Sequence, residues 1–285
     1  MSDPPDFDET IRQMEARYWH PAVQRCLDAV RAVAGYDLQP TQHAPFLRFH
    51  AFLTTEPRPQ YIVRWRSSQE RIRWYHRHVD GILGQVQNAV ACVWYHRDNL
   101  CAIEDAVRKI VISSGALEVL ENMTTGVPNA IRWDAEYQAF LLAVRRCLDY
   151  LTRALAAYFE TEFHSFRKLP DFLGRAAPRA VADALLMVHH RHKDQFDYVL
   201  STGERKSTRD ILSHYRYIGA GTFNLSGRGF TLAGGGERLP VADAPDWDGG
   251  LDTIIVKRAN HLLDCISDLL STFAASVAEH ERAGA

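Results

Sequence analysis

The sequence predicts a mainly α protein: a helical bundle with a small β-hairpin inserted before the last helix. Three observations carry this. Long stretches place apolar residues at alternating three- and four-residue steps, which line one face of a helix. Proline and glycine clusters fall between those stretches and punctuate them. Only one region, Thr222 to Val241, switches to residue-by-residue alternation, the period of a strand.

The first helix is expected over about residues 8–33, with Ile11, Met14, Tyr18, Val23, Leu27 and Val30 inward and a kink or split at Pro21. Residues 34–60 read as irregular, broken by Pro40, Pro45, Pro57 and Pro59. Ser67 and Ser68 cap a long helix to about Arg97, with Ile72, Tyr75, Val79, Ile82, Val86, Val90 and Val93 on its stripe. A further helix covers about 101–122, with Ala102, Ala106, Ile110, Leu117 and Leu120 inward. The run Thr124-Thr125-Gly126-Val127-Pro128 then breaks the pattern, and a boundary is expected there. It separates a helical accessory region, residues 1–125, from a helical bundle, residues 131–285.

The bundle opens with a helix over about 133–160, whose stripe is Leu141, Val144, Leu148, Leu151, Leu155 and Phe159. Next come a polar connection around Pro170 and Gly174 and a helix from Pro178 to about Leu200. Ser207 opens a short helix, with Asp210 at capping-box spacing, and Gly219 and Gly221 close it. The hairpin at about 222–241 pairs Phe223 and Leu225 with Phe230 and Leu232 around Ser226-Gly227-Arg228-Gly229. The last helix, about 252–280, carries Ile255, Ala259, Leu262, Ile266, Leu269, Phe273 and Val277.

Composition limits what such a bundle does. The chain has 285 residues, 46% hydrophobic and 24% charged, with net charge -2. A protein that coats nucleic acid is far more basic, so any RNA contact must come from a local basic site. The acidic start Met1-Ser2-Asp3-Pro4-Pro5-Asp6 does not read as a signal peptide, and no run approaches the roughly 20 apolar residues of a membrane helix. Five scattered cysteines without a CxxC pair read as free thiols in a reducing compartment. The expected location is the cytoplasm, with no membrane partner.

The short helix carries the candidate chemistry. At about 100° per residue, Ile211, Tyr215 and Ile218 cluster within about 60° and form its buried stripe. Arg209, Ser213, Asp210 and His214 fall on the opposite side, over about 140°. A histidine titrates near neutrality and exchanges protons with a ribose hydroxyl. An arginine holds two phosphate oxygens and offsets charge in the transition state. Asp210 either orients one of them or caps the helix. The spacing alone recurs in Arg71–His76, Arg71–His78 and Arg73–His78, inside a long helix where a solvated face explains it. Arg209 differs in standing at a capped helix start and in preceding Asp210 directly.

With Arg209-Asp210-Ile211-Leu212-Ser213-His214 and the helix around Phe140–Tyr150, residues 133–280 resemble a HEPN domain, a helical-bundle family rich in RNA-cleaving toxins and defence proteins. The resemblance implies a metal-independent endoribonuclease of a toxin or phage-defence system. His214 would assist attack of a 2′-hydroxyl on the adjacent phosphate, and Arg209 would stabilise the transition state. Asp210 completes the catalytic candidates, and Arg191, Lys206, Ser213 and Arg216 are the candidate RNA contacts. The resemblance also implies a homodimer with facing motifs, an antitoxin or regulatory partner, no cofactor and no metal. Many relatives of this kind are catalytically silent, so a non-catalytic interaction or RNA-binding module, and a helical structural protein without an active site, stay open beside the enzyme.

Other patterns carry less. His189-His190-Arg191-His192 lacks a matching Cys or carboxylate pair at ligand spacing and reads as a solvated basic face. Asp246-Trp247-Asp248-Gly249-Gly250-Leu251-Asp252 lacks the glycine offset and terminal Glu of a calcium loop. The glycines at 227, 229 and 234–236 lack the GK[ST] of a phosphate loop. Trp65, Trp74, Tyr75, Trp94 and Tyr95 read as core packing. No haem-attachment motif accompanies the histidines.

Overall fold

A computed structural model describes residues 20–115, 119, 124–127, 129, 131–200, 207, 222–226, 229–234, 237–238 and 251–284. They are mainly helical, and none of their helices is long and apolar enough to cross a membrane. The chain divides into two compact units, Met1–Asp37 and Leu38–Ala285.

In the first unit, α1 is Pro21–Ala34. Pro21 neither kinks nor splits the described helix but starts it, since a first-turn position has no use for the missing N–H. The His20 ring accepts a hydrogen bond from the Ala22 N–H at 3.2 Å and caps that end. The expected stretch before residue 20 lies outside the described residues. No residue of α1 is buried.

The second unit corrects the reading of 34–60 as irregular. It begins with α2 (Pro40–Thr54) and α3 (Gln60–Arg66). Pro40 stands in the first turn, and the Gln42 side chain accepts from the Gln39 N–H at 2.8 Å. Pro45 forfeits one backbone bond near the start of α2. Phe46, Phe49 and Leu53 outweigh that loss by burying one face. The free N–H groups of Gln60 and Tyr61 donate to the two carboxylate oxygens of Glu281, at 3.0 and 3.2 Å, so a residue some 220 positions away caps α3.

The long helix is three segments: α4 (Ile72–Tyr75), a π-helical stretch (His76–Val86) and α5 (Gln87–Ser113). Ser67 caps the C-terminus of α3, and regular helix resumes only at Ile72. The break expected between Arg97 and Cys101 is absent, because α5 runs through it. Ala102, Ala106 and Ile110, expected inward, are exposed. Continuing the Val86–Val90–Val93 steps leads instead to Leu100 and Glu104, and those two are buried. A helix started afresh at 101 takes its phase from the wrong face.

Next come β1 (Thr124–Val127), α6 (Ile131–Tyr158), a 3-10 turn (Phe166–Lys168), α7 (Leu169–Leu173), α8 (Arg179–His192) and a second 3-10 turn (Lys193–Phe196). The stripe of α6 is buried from Leu141 to Leu155, and Trp133, Tyr137 and Phe140 extend it. The connection around Pro170 is short helix, and α8 stops at His192, ahead of the expected Leu200. Strands β2 (Thr222–Ser226), β3 (Gly229–Gly234) and β4 (Glu237–Arg238) join β1 in an antiparallel sheet of order β1-β2-β3-β4. Phe223 lies opposite Leu232, and Leu225 opposite Phe230. The chain ends in α9 (Leu251–Ala283), whose seven expected inward residues from Ile255 to Val277 are all buried.

These helices share one core. The π-helical stretch and α5 pack on α6, while α9 packs on α2, α5 and α8. Helices expected on opposite sides of a boundary near residue 125 therefore lie against each other, and the compact units divide at Asp37 instead. All five cysteines are free, with Cys147 and Cys265 buried. Of the five aromatics read as core, Trp65, Trp74 and Trp94 are buried, Tyr75 is half-buried and Tyr95 is exposed.

The centre of the core is aromatic. The Phe273 ring lies 5.0 Å from Tyr158, 6.2 Å from Tyr61 and 6.3 Å from Phe49. His78 sits among them, 5.0 Å from Phe273 and fully buried. Its Nδ1–H donates to the Ala154 carbonyl at 2.7 Å, so its Nε2 accepts from the Tyr61 hydroxyl at 3.2 Å. Gly81, one turn on, meets α6 so closely that an added Cβ would stand 3.0 Å from the Ala154 Cβ.

This packing is testable at two places. Phe273→Ala removes the ring on which α2, α3, α6 and the π-helical stretch converge, and should cost about 3–5 kcal/mol in a denaturant titration. His78 and His189 both have a pKa pushed down to about 4 by burial, against the backbone carbonyl each donates to. The unfolded chain takes up these protons near the free pKa of about 6.5 and the folded chain does not. Stability from this source is full above about pH 6.5 and drains away as pH falls toward about 4, by up to about 3 kcal/mol per ring. A His78→Leu variant should show a smaller loss between about pH 7 and about pH 5 than the parent.

Candidate functional site

Six of the seven residues picked from the sequence, Arg209, Asp210, His214, Lys206, Ser213 and Arg216, lie outside the described residues. Between Leu200 and Thr222 only Ser207, the expected cap of the short helix, is described, and it is buried. The seventh, Arg191, stands at the end of α8, where that helix packs along α9.

The seam between α8 and α9 corrects the reading of His189–His192 as a solvated face. Adjacent residues of a helix point about 100° apart, so one end of this run turns inward. His189 and His192 are buried, while the Arg191 side chain is 64% exposed. The His189 Nε2–H donates to the Phe166 carbonyl at 3.1 Å, and its ring lies 4.8 Å from the Phe166 ring. Its Nδ1 has no hydrogen-bond partner. A ring buried so deeply stays neutral and locks the 3-10 turn onto α8.

His192 faces protein oxygens on both sides. Its Nε2 lies 2.9 Å from Asp268 Oδ2, and its Nδ1 lies 3.4 Å from Gln195 Oε1. The same Asp268 oxygen accepts from Arg191 Nη1 at 3.1 Å. One carboxylate on α9 thus serves two cations or donors on α8. This arrangement holds two helices in register. It leaves neither nitrogen of His192 clear to exchange a proton with a ligand.

Further up α9 the charge changes sign. Lys257, Arg258 and His261 precede Asp264 and Asp268. The pKa of His261 is lowered first by burial, then by the charge of Lys257, with Asp264 acting against both. Arg258 Nη1 donates to the Tyr137 hydroxyl at 3.1 Å, and its guanidinium lies 4.0 Å from the centre of the Tyr198 ring. No described carboxylate pairs with it. A guanidinium held by an aromatic face and a phenol, without an acid, keeps donors for an anion. Sequence reading missed Asp268 and Arg258. The one available signal was the row His261, Asp264 and Asp268 at three- and four-residue steps, beside a buried stripe.

Among the described residues no three His, Cys, Asp or Glu side chains come together as a metal site. No family model matches the chain, and neither the curated proteins nor the solved structures contain a match.

The shared carboxylate ranks the residues of the seam. Arg191→Ala should cost under about 1 kcal/mol, because an exposed pair gains little and Asp268 keeps His192. Asp268→Ala removes the partner of a buried imidazole as well, and should cost more than Arg191→Ala in the same denaturant titration.

Proposed function

We propose that the protein is a metal-independent endoribonuclease of the HEPN type, acting in a toxin or phage-defence system. The observation that carries this reading is the sequence Arg209-Asp210-Ile211-Leu212-Ser213-His214, set between helices of one compact unit. Support comes from the mainly helical architecture, from the packing of α8 on α9 on either side of that segment, and from the amphipathic α6. In this reading the strands before α9 are a hairpin inserted into the bundle. Residues 1–125 form an accessory region that shapes the cleft or a partner contact.

The chemistry assigns His214 the proton at the attacking 2′-hydroxyl and Arg209 the charge on the phosphate. Asp210 orients one of them. Lys206, Ser213 and Arg216 bind the RNA backbone, and Arg191 extends that surface at the cost of its contact with Asp268. A homodimer with facing motifs closes the site, a regulatory protein or antitoxin restrains it, and the reaction takes place in the cytoplasm.

A second reading is favoured by the seam. Arg191 is tied to Asp268, and both nitrogens of His192 face protein oxygens, so the described polar residues hold helices together. That suits a non-catalytic interaction module or a structural helical protein.

The test is cleavage of mixed RNAs in excess EDTA by the parent and by His214→Ala and Arg209→Ala. The nuclease reading expects cleavage by the parent and a loss of at least about 100-fold in each variant. RNA binding without cleavage supports the interaction module, and neither activity leaves the structural protein. Equal cleavage by all three forms overturns the assignment of the site.

A further inference from the structure

A second site lies away from the α8–α9 seam. Between α3, the end of α6 and the end of α9 is a cleft of about 360 Å³, lined by Gln60, Tyr61, Arg64, Tyr158, Glu160 and Glu281 among others. That volume is at the small end of ligand pockets.

Its charges do not cancel. Glu160 is the acid the cations share: Arg64 stands 4.0 Å and Arg71 3.8 Å from its Oε1, and the Trp65 Nε1–H donates to the same oxygen at 3.0 Å. Glu281 has no cation within ion-pair distance among the described residues. Its partners are the two backbone N–H groups of α3, which are neutral donors. The cleft therefore holds one carboxylate whose charge is unanswered.

Its polar groups are not all used either. Tyr158 is 8% exposed, yet its hydroxyl hydrogen-bonds to no described residue. Its proton is held more tightly than usual, with a pKa pushed up to about 12, first by burial and then by Glu281, with Arg64 acting against both. Both of those charged residues line the cleft, so the phenol oxygen is at the cleft end of the ring. A buried hydroxyl without a partner is costly unless a ligand meets it. Phe159 stands edge-on to Tyr158 at 5.1 Å and lines the same space, as does Tyr61. Aromatic faces beside an unanswered carboxylate suit an organic cation.

We propose that this cleft binds a small alkylammonium compound of the diamine class, with the ammonium on the Glu281 carboxylate and the Tyr158 hydroxyl. The alkyl chain lies against Tyr61 and Phe159. Binding brings the formal charge of the lining acids and Arg64 to balance, a match that neither an anion nor a neutral molecule provides. The site stands whether or not the protein cleaves RNA.

Titration of the full chain with 1,4-diaminobutane, monitored by calorimetry, tests this. One saturable site is expected. Tyr158→Phe keeps the ring on Phe273 and should weaken binding by about 2- to 10-fold, the range for one hydrogen bond, with an unchanged denaturation midpoint. Glu281→Gln removes the charge but keeps an acceptor for α3, and should abolish measurable binding. Glu279→Gln, an exposed neighbour outside the cleft, should bind as the parent does. The neutral 1,4-butanediol should not bind. No saturable binding by the parent, or equal affinity in Tyr158→Phe and Glu281→Gln, overturns the proposal. Tighter binding of a lysine-bearing peptide than of the free diamine would assign the cleft to a protein partner and overturn the small-molecule ligand.

Discussion

Two hydrogen bonds to one imidazole organise the larger unit. His78 gives its proton to a carbonyl of α6 and takes one from a hydroxyl of α3, and it does so from within the π-helical stretch. Three elements far apart in sequence are fixed by a single ring. Because the ring is buried among aromatic side chains, each bond is worth more than it would be in water, and leaving either nitrogen empty would be costly. The close approach of Gly81 to Ala154 belongs to the same contact, since the two backbones must be near for the bond to form. The aromatic cluster around Phe273 then fills the space that this geometry leaves.

The histidines of the chain separate by environment. His78 and His189 are buried and neutral, each donating to a backbone carbonyl, and at physiological pH neither changes its charge. His192 is committed to Asp268 and Gln195. None of these three is suited to acid–base work near neutrality, which requires a ring that both titrates there and meets a substrate. The proposed role of His214 therefore does not compete with any of these three imidazoles. Arg258, by contrast, is a cation without an acid, and it lies on the same helix as the Asp268 clamp.

Much of the architecture was legible in the sequence, and the misses have particular causes. The stripes of α6 and α9 were readable residue by residue, because a long helix with one wet face repeats its pattern many times. The region 34–60 was not, because four prolines dominate a local reading while the burial of Phe46, Phe49 and Leu53 is decided by distant partners. The inward face of α5 was misread beyond Val93 because a helix restarted at 101 loses the phase set upstream. At the seam, the sequence showed four charged or titratable residues in a row and could not say which pointed inward. That choice depends on Phe166 and Asp268, which lie 23 and 76 positions away from the residues they bind. The candidate motif was visible as spacing alone, and spacing does not give the surroundings that decide whether a histidine is reactive.

The π-helical stretch sets the rotational phase of α5. Its bonds span five residues, so each turn holds more residues than an α turn, and the 27 residues of α5 inherit whatever angle it delivers. Losing one residue between His76 and Val86 would turn the downstream helix by about 100° unless the stretch rewound to absorb it. Val90, Val93 and Trp94 would swing toward water together, and polar neighbours would enter the core. This short stretch is therefore where insertions and deletions are most constrained, although several of its side chains face solvent.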